Sequence, residues 1–463
     1  MNRLVVVSNR VADLDLASQS GGLAVALVDA LRERGGIWFG WDGKVVPGGT
    51  RVPPNVTTYG NVTTITLPLT RKDYNQFYVG YSNSVLWPVF HYRLDLANHE
   101  SSFLTGYKRV NSKFADALSP MLDEGDIIWI HDYHLIPLAA ELRKRGHKQK
   151  IGFFLHIPFP SHEIFAATPG YDWLGRLFLS YDLIGFQTST DVENFAYSIS
   201  SELGADAVLG MDTISVGPNR CKLGRFPIGI DVDAFREVAH SRESDERIDY
   251  LQRRTTARNH IIGVDRLDYS KGLPDRLRAF ARLLQKYPEN HKRVTLMQIA
   301  PPTRENVEAY ADIREELEKL SGAINGEYAD FDWTPVRYMH RSVPRNILAA
   351  LFRGSQIGLV TPLRDGMNLV AKEYVAAQND SEPGVLILSR FAGAAEELEE
   401  ALMVNPYDVD EVAEALHRAL VMPLGERVER QAALLTRIRE HNAHNWQAAF
   451  LSALMQQEDR EQA

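Results

Sequence analysis

The sequence predicts an α/β protein made of two doubly wound, Rossmann-like parallel-sheet domains facing one another across a cleft. Two observations predict it. Short β-branched runs alternate with amphipathic segments along the whole chain, and a polar stretch divides two strand–helix series of similar length. The predicted strands are Leu4–Val7, Ile37–Phe39, Ile127–Ile130, Ile151–Leu155 and Leu183–Phe186, then Ile261–Val264, Val294–Ile299, Ile357–Val360 and Val385–Leu388. Between them Gly22–Arg34, Asn111–Leu122, Leu138–Arg145, Asp191–Leu203, Leu273–Tyr287, Val307–Leu320 and Leu369–Gln378 read as helices, several with apolar residues at i, i+3 and i+4. The dividing stretch runs from Pro227-Ile-Gly-Ile-Asp231 through Ser241-Arg-Glu-Ser-Asp-Glu246. It places a first domain at 1–230, a second at 231–440, and a terminal segment, 441–463, that crosses back to the first.

Composition narrows the class. At 463 residues and 44% hydrophobic, the chain has material for two or three cores. A net charge of −9 argues against a nucleic-acid or anionic-membrane surface, so loop arginines and lysines are expected to mark local pockets for small anions. The apolar run at the amino terminus is too short for a signal peptide and no stretch has the length of a membrane span, which predicts a cytoplasmic protein. Cys221 is the single cysteine, has no acid–base neighbour in sequence, and is expected to be structural.

The most informative segment is Thr361-Pro-Leu-Arg-Asp-Gly-Met-Asn-Leu-Val-Ala-Lys-Glu373, where a strand runs through a glycine-containing turn into a helix. A helix beginning near Asn368 points unpaired N–H groups and the positive end of its dipole at the turn, which suits a phosphate. Glu373 then falls within reach of a ribose diol. The competing use is local, with Asn368 only an N-cap and Glu373 only a favourable partner of the dipole.

In doubly wound sheets ligands bind beyond the carboxyl ends of the strands, and charged residues follow nearly every predicted strand here. They are Arg10, His131 with Asp132, His156, Arg266, Arg304, and Arg364 with Asp365. Within Asp265-Arg-Leu-Asp-Tyr-Ser-Lys-Gly-Leu-Pro274, Arg266 and Lys271 form a cation pair suited to a diphosphate leaving group. The alternative is that Arg266 and Lys271 are spent on Asp265 and Asp268. Gly21 and Gly22 open a helix and permit close backbone approach to a substrate, a weak signal alone. Tyr78 and Trp87 are aromatics with polar tips able to stack on a sugar, although core packing competes for Trp87. The triplets Asp13/Asp15, Asp231/Asp233, Asp330/Asp332 and Asp408/Asp410 are rejected as metal sites, because chance supplies them among 60 acidic residues and the cation pair already neutralises a leaving group. No metal or cofactor is expected.

Taken together, Val-Val-Val-Ser-Asn-Arg10, Gly-Gly-Leu-Ala-Val25, Val-Leu-Trp-Pro88, Ile-His-Asp-Tyr-His134, Phe-Leu-His-Ile-Pro-Phe-Pro160 and the two segments containing Arg266 and Asp365 give a specific resemblance over Leu4 to about Trp446. The chain resembles the bacterial trehalose-6-phosphate synthase family, retaining glycosyltransferases of the two-domain GT-B type. That resemblance implies transfer of glucose from a nucleotide sugar, usually UDP-glucose, to glucose 6-phosphate. It implies catalytic positions at Arg266, Lys271, Asp132, His156 and Asp365. Arg266 and Lys271 are implied on the donor diphosphate and Glu373 on the ribose. Asp365 with Gly366, Met367, Asn368 and Leu369 is implied on the donor glucose and phosphates, and Gly21, Gly22 and His156 on the donor sugar. The base is implied against backbone near Ile299 and Val343. Arg10, Tyr78, Trp87 and Arg304 are implied on the acceptor phosphate, with Asp132 on its hydroxyls; acceptor binding is then expected to favour closure of the cleft and exclusion of water.

The family's retention without an evident nucleophile suggests front-face attack, with a donor phosphate oxygen taking the acceptor proton; the alternative is a covalent intermediate on Asp365. A homo-oligomer and a separate trehalose-phosphate phosphatase are expected, the chain having no room after Ala463 for a phosphatase domain. Gly204 to Leu223 departs from the family pattern and is expected as variable surface loop. The last helix is expected from about Val428 to Gln457. Competing functions are the same scaffold with another acceptor, such as glycerol 3-phosphate or a cyclitol, and a catalytically silent sugar-phosphate sensor.

Overall fold

Val5, Val6 and Val7 are β-branched and wholly buried, the side chains a two-faced central strand selects. They lie in β1 (Leu4–Arg10), the centre of a ten-stranded sheet ordered β3-β4-β2-β1-β5-β6-β7-β10-β9-β8. Its other members are β2 (Gly36–Val46), β3 (Asn55–Tyr59), β4 (Val62–Thr70), β5 (Ile127–His131), β6 (Lys150–Phe154), β7 (Leu183–Phe186), β8 (Ala207–Leu209), β9 (Thr213–Val216) and β10 (Asn219–Arg225). A second, all-parallel sheet is ordered β13-β12-β11-β14-β15-β16, from β11 (Asn259–Val264), β12 (Val294–Ile299), β13 (Val336–Met339), β14 (Ile357–Val360), β15 (Val385–Ser389) and β16 (Leu402–Val404). The computed structural model describes residues 2–12, 22–49, 52–204, 207–210, 212–217, 219–254, 259–303 and 308–456.

Both sheets reverse their winding direction beside their first strand. In one, β1 leads outward to β2 and the chain later returns on the other side with β5. In the other, β11 leads to β12 and β13 before β14 returns beside it, with Ile261 opposite Ile357. At such a reversal the loops after the two central strands part and leave a crevice, the usual ligand position of this fold. The residues that follow β1, β5, β11 and β14 are Val11, Asp132, Asp265 and Thr361.

The chain forms two compact units, Met1–Pro227 with His444–Ala463, and Ile228–Ala443. The division falls at Pro227, and the polar stretch Ser241–Glu246 lies inside the second unit, mostly on the helix Arg242–Arg254. Its charges reflect an exposed helix face, which composition alone does not distinguish from a linker. Expected loop at 204–223 is instead largely strand. β9 pairs antiparallel with β8 and with β10, β10 pairs parallel with β7, and Ile214 and Cys221 are buried. Burial pushes the Cys221 thiol far up, so it stays protonated and serves packing.

The single terminal helix expected from Val428 is two helices, Leu424–Glu440 and Ala443–Met455. They break at His441 and Asn442, where a side chain on Gly229 would lie 1.9 Å from the His441 carbonyl oxygen. The second helix belongs to the first unit and lays Trp446 and Phe450 on Trp129, with ring centroids 4.9 and 4.7 Å apart. Among the described residues no helix is long and apolar enough to cross a membrane.

Candidate functional site

In the second unit the loops after β11 and β14 are tied together. Leu363 N–H donates to the Ser270 carbonyl at 2.8 Å, and Gly272, at φ +63°, lets the Thr361 carbonyl approach to where a β-carbon would lie only 2.6 Å from it. Asn368 caps the helix Leu369–Ala377, its side-chain oxygen accepting from Ala371 N–H at 3.2 Å. Its φ of +76° is costly for a residue with a β-carbon, and such strain collects at functional sites. The expected helix start and its cap are therefore both present.

Two carboxylates hold that strained residue. Asn368 Nδ2 donates to Asp365 Oδ2 at 3.0 Å and to Asp265 Oδ1 at 3.4 Å, and Lys271 pairs with the same Asp365 oxygen. Asp265 in turn accepts from Arg276 Nη2 at 2.8 Å. Arg276 is 1% exposed and spends its other nitrogens on Thr361 Oγ1 and Gln298 Oε1, at 3.0 and 3.1 Å. Asp268 caps Ser270 N–H at 2.9 Å and accepts from Tyr310 Oη at 3.0 Å. Lys271 is therefore not spent on Asp265 or Asp268, and Arg266, earlier in the same loop, is exposed. The sequence signals the burial of Arg276, though not its partner. The arginine lies on the face of Leu273, Leu277, Phe280 and Leu284, where a charge is buried only with partners.

Glu373 lies on the second turn of the helix Leu369–Ala377, partly buried, and burial pushes its carboxyl up to about 7 despite the nearby Arg345 cation. Gly366 and Met367 are buried and Leu369 is half-buried at the helix start, whereas Val343 lies half-buried in the loop after β13. Arg364 stands 5.8 Å from the Phe391 ring centroid. Arg304 lies outside the described residues, as do Gly21 and the Asp13/Asp15 triplet.

The first unit assembles a second group of the predicted residues. Arg10 closes β1 with its guanidinium 5.9 Å from the Trp41 ring centroid, and Trp41 packs against Tyr78 at 5.4 Å. Tyr78 also stacks on His134, centroids 5.9 Å apart and planes at 11°. The segment that carries Tyr78 is a π-helix, Tyr74–Leu86, in which Asn83 Nδ2 donates to the Tyr78 carbonyl at 2.7 Å. Asn83 Oδ1 accepts from Tyr133 Oη at 2.8 Å, which links that helix to the residue after Asp132. Trp87 is 4% exposed and packs on Tyr133 and His91, so packing claims most of its ring. Gly22 begins the helix Gly22–Arg34.

Asp132 follows β5 with φ 75° and ψ 163°, a region nearly reserved for glycine, and its Oδ1 accepts from His156 N–H at 3.3 Å. Burial drives His156 down to about 3 and His131 well below the ordinary histidine range. His156 is thus neutral near pH 7, able to exchange hydrogen bonds but not to act as an imidazolium acid. Among the described residues no group of three or more His, Cys, Asp or Glu side chains is arranged to hold a metal ion.

Two doubly wound parallel-sheet units, one with a capped helix start and a lysine and an arginine in the loops at its sheet reversal, have the fold of the GT-B glycosyltransferases. Residues 2–456 match the profile of glycosyltransferase family 20, and the chain belongs to that family. It is 49% identical over 454 residues to a Citrobacter koseri protein named trehalose-6-phosphate synthase, covering 98% of this chain and 95% of that one. It is 48% identical, with a TM-score of 0.94, to a Burkholderia xenovorans α,α-trehalose-phosphate synthase (UDP-forming) solved in complex with glucose-6-phosphate, over 98% of this chain and 100% of that one. An E. coli trehalose-6-phosphate protein bound with UDP-2-fluoro glucose matches at 47% identity and a TM-score of 0.94, over 98% and 99% of the chains.

Proposed function

We infer that this chain transfers glucose from UDP-glucose to glucose 6-phosphate with retention, giving α,α-trehalose 6-phosphate and UDP. The observation that carries the reading is the Lys271–Asp365–Asn368 cluster at the helix start, in a chain similar over 98% of its length to relatives with those two ligand chemistries.

In this reading Arg266 and Lys271 hold the donor diphosphate and neutralise the charge that grows on it as the glycosidic bond breaks. The backbone from Gly366 to Leu369 faces the phosphates and glucose, and Glu373 takes the ribose hydroxyls. Gly22 and neutral His156 contact the donor sugar. Arg10, Tyr78, Trp87 and Arg304 take the acceptor phosphate, and Asp132 orients the acceptor hydroxyls. The acceptor hydroxyl attacks the face the diphosphate leaves, and its proton passes to a phosphate oxygen. No metal is required, since the cation pair supplies the charge that an ion otherwise would. The protein works in the cytoplasm as a homo-oligomer, and a separate phosphatase consumes its product.

An NMR time course with UDP-glucose, glucose 6-phosphate and EDTA tests the reading. The expected result is an α,α-linked disaccharide phosphate appearing with UDP. No product with either UDP-, ADP- or GDP-glucose would overturn it, and dependence on added Mg²⁺ would overturn its metal-free form.

A further inference from the structure

Lys271 and Asp365 are both nearly enclosed, with side chains 10% and 14% exposed, and each is the other's ion-pair partner. The same carboxylate oxygen, Oδ2, also accepts from Asn368. The pair lies where a helix begins, so an ammonium and a helix N-terminus both call for negative charge at one place. A lysine this enclosed is costly without a counter-ion, and Asp365 supplies one. A diphosphate that takes Lys271 competes with that carboxylate for the ammonium.

We propose that Asp365 is a resident counter-ion which the donor diphosphate displaces from Lys271, and that this exchange disfavours the nucleoside diphosphate product relative to the intact nucleotide sugar. The inference rests on the donor reading given above. When UDP binds, Asp365 loses its cation and stands desolvated beside phosphate oxygens, held only by the Asn368 amide. When UDP-glucose binds, the sugar hydroxyls donate to the freed carboxylate, and a charge-assisted hydrogen bond replaces the ion pair. The same residue therefore steadies the empty site, favours the substrate and helps the product leave.

Asp365 suits substitution. Its main chain is fixed independently, with its N–H donating to the Phe391 carbonyl and its carbonyl accepting from Gly393 N–H, both at 3.1 Å. An asparagine there can still accept from Asn368. Calorimetric titration of UDP and of UDP-glucose into the wild type, Asp365→Asn and Asp365→Ala tests the proposal. Both variants are expected to bind UDP about tenfold more tightly, the scale of one partly screened charge interaction, and UDP-glucose no more tightly than the wild type. The alanine variant removes the charge without adding an amide that could itself grip a phosphate. UDP binding that is unchanged or weaker in both variants would overturn the counter-ion role, as would a gain in Asp365→Asn alone. A wild type that binds neither ligand would instead overturn the donor reading.

Discussion

His131 Nδ1 and His156 Nε2 lie 3.1 Å apart, with ring planes at 26° and both rings near Trp446. Only one of those nitrogens can carry the hydrogen between them. The Gln187 amide nitrogen, 3.5 Å from His156 Nδ1, assigns that proton to His156 Nε2, which donates to His131. Burial disfavours a charge on either ring, and a charged His156 would disfavour one on His131 further. The strand end after β5 and the turn after β6 are thus held by a neutral pair.

Acid should therefore destabilise the protein. Burial lowers His131 strongly and His156 to about 3, and burial with the nearby Arg337 lowers His260 to about 4. In the unfolded chain each titrates near 6.5, so below roughly pH 6.5 the unfolded state binds protons that the folded state refuses. Each histidine then removes up to about 1.4 kcal/mol per pH unit. Glu373 acts the other way between about 7 and its unfolded value, because its folded carboxyl is protonated first, and it offsets one histidine. Urea midpoints are expected to fall from pH 7.5 to 5, and less steeply in His131→Gln. A flat profile would contradict the neutral pair.

Removal of the exposed cation should act on the chemical step. Arg266→Ala is expected to lower kcat by roughly 10²–10³-fold, the scale of one preorganised charge-stabilising group. Binding of glucose 6-phosphate alone should hardly change. Near-normal turnover in steady-state kinetics would remove Arg266 from the leaving-group role.

Glu373 predicts a pH dependence confined to the donor. A carboxylate accepts two ribose hydroxyls better than a carboxylic acid does, so UDP-glucose affinity should rise as pH passes about 7. Glu373→Gln should bind more weakly and lose that inflection. Calorimetry from pH 6 to 8.5 checks it, and an inflection that survives in the variant assigns the titration to another group.

Much of this was legible in the residues, and what was not has physical reasons. β1, β5, β11, β12, β14 and β15 were readable because buried strands are apolar on both faces. β3 and β4 are rich in threonine at a sheet edge, and β8, β13 and β16 are three or four residues long, too short for a period to show. Asn368 and Asp365 were legible as a strand–turn–helix signature. The Arg276–Asp265 anchor was not, because a buried ion pair joins residues whose sequence neighbours give no hint of the partner. The π-helix that positions Tyr78 was hidden too, since Tyr74–Leu86 contains nothing that marks a wider turn except Asn83, whose side chain reaches the Tyr78 carbonyl.

Lys372 next to Glu373 makes the last prediction, one about stability. Its ammonium is fully buried, 2.5 Å from Glu397 Oε2 and 2.8 Å from the Ile228 carbonyl, while Glu397 also pairs with His441. Ile228 and His441 stand at or close to the two places where the chain passes between its compact units. Lys372→Met takes the fixed cation from a buried carboxylate and leaves it His441, and is expected to lose about 3–5 kcal/mol in urea unfolding, whereas Lys372→Met with Glu397→Leu should recover most of it. If the double variant is as unstable as the single one, the bond to the Ile228 carbonyl matters more than the charge pair, and the stabilising role passes from Glu397 to the chain crossing itself.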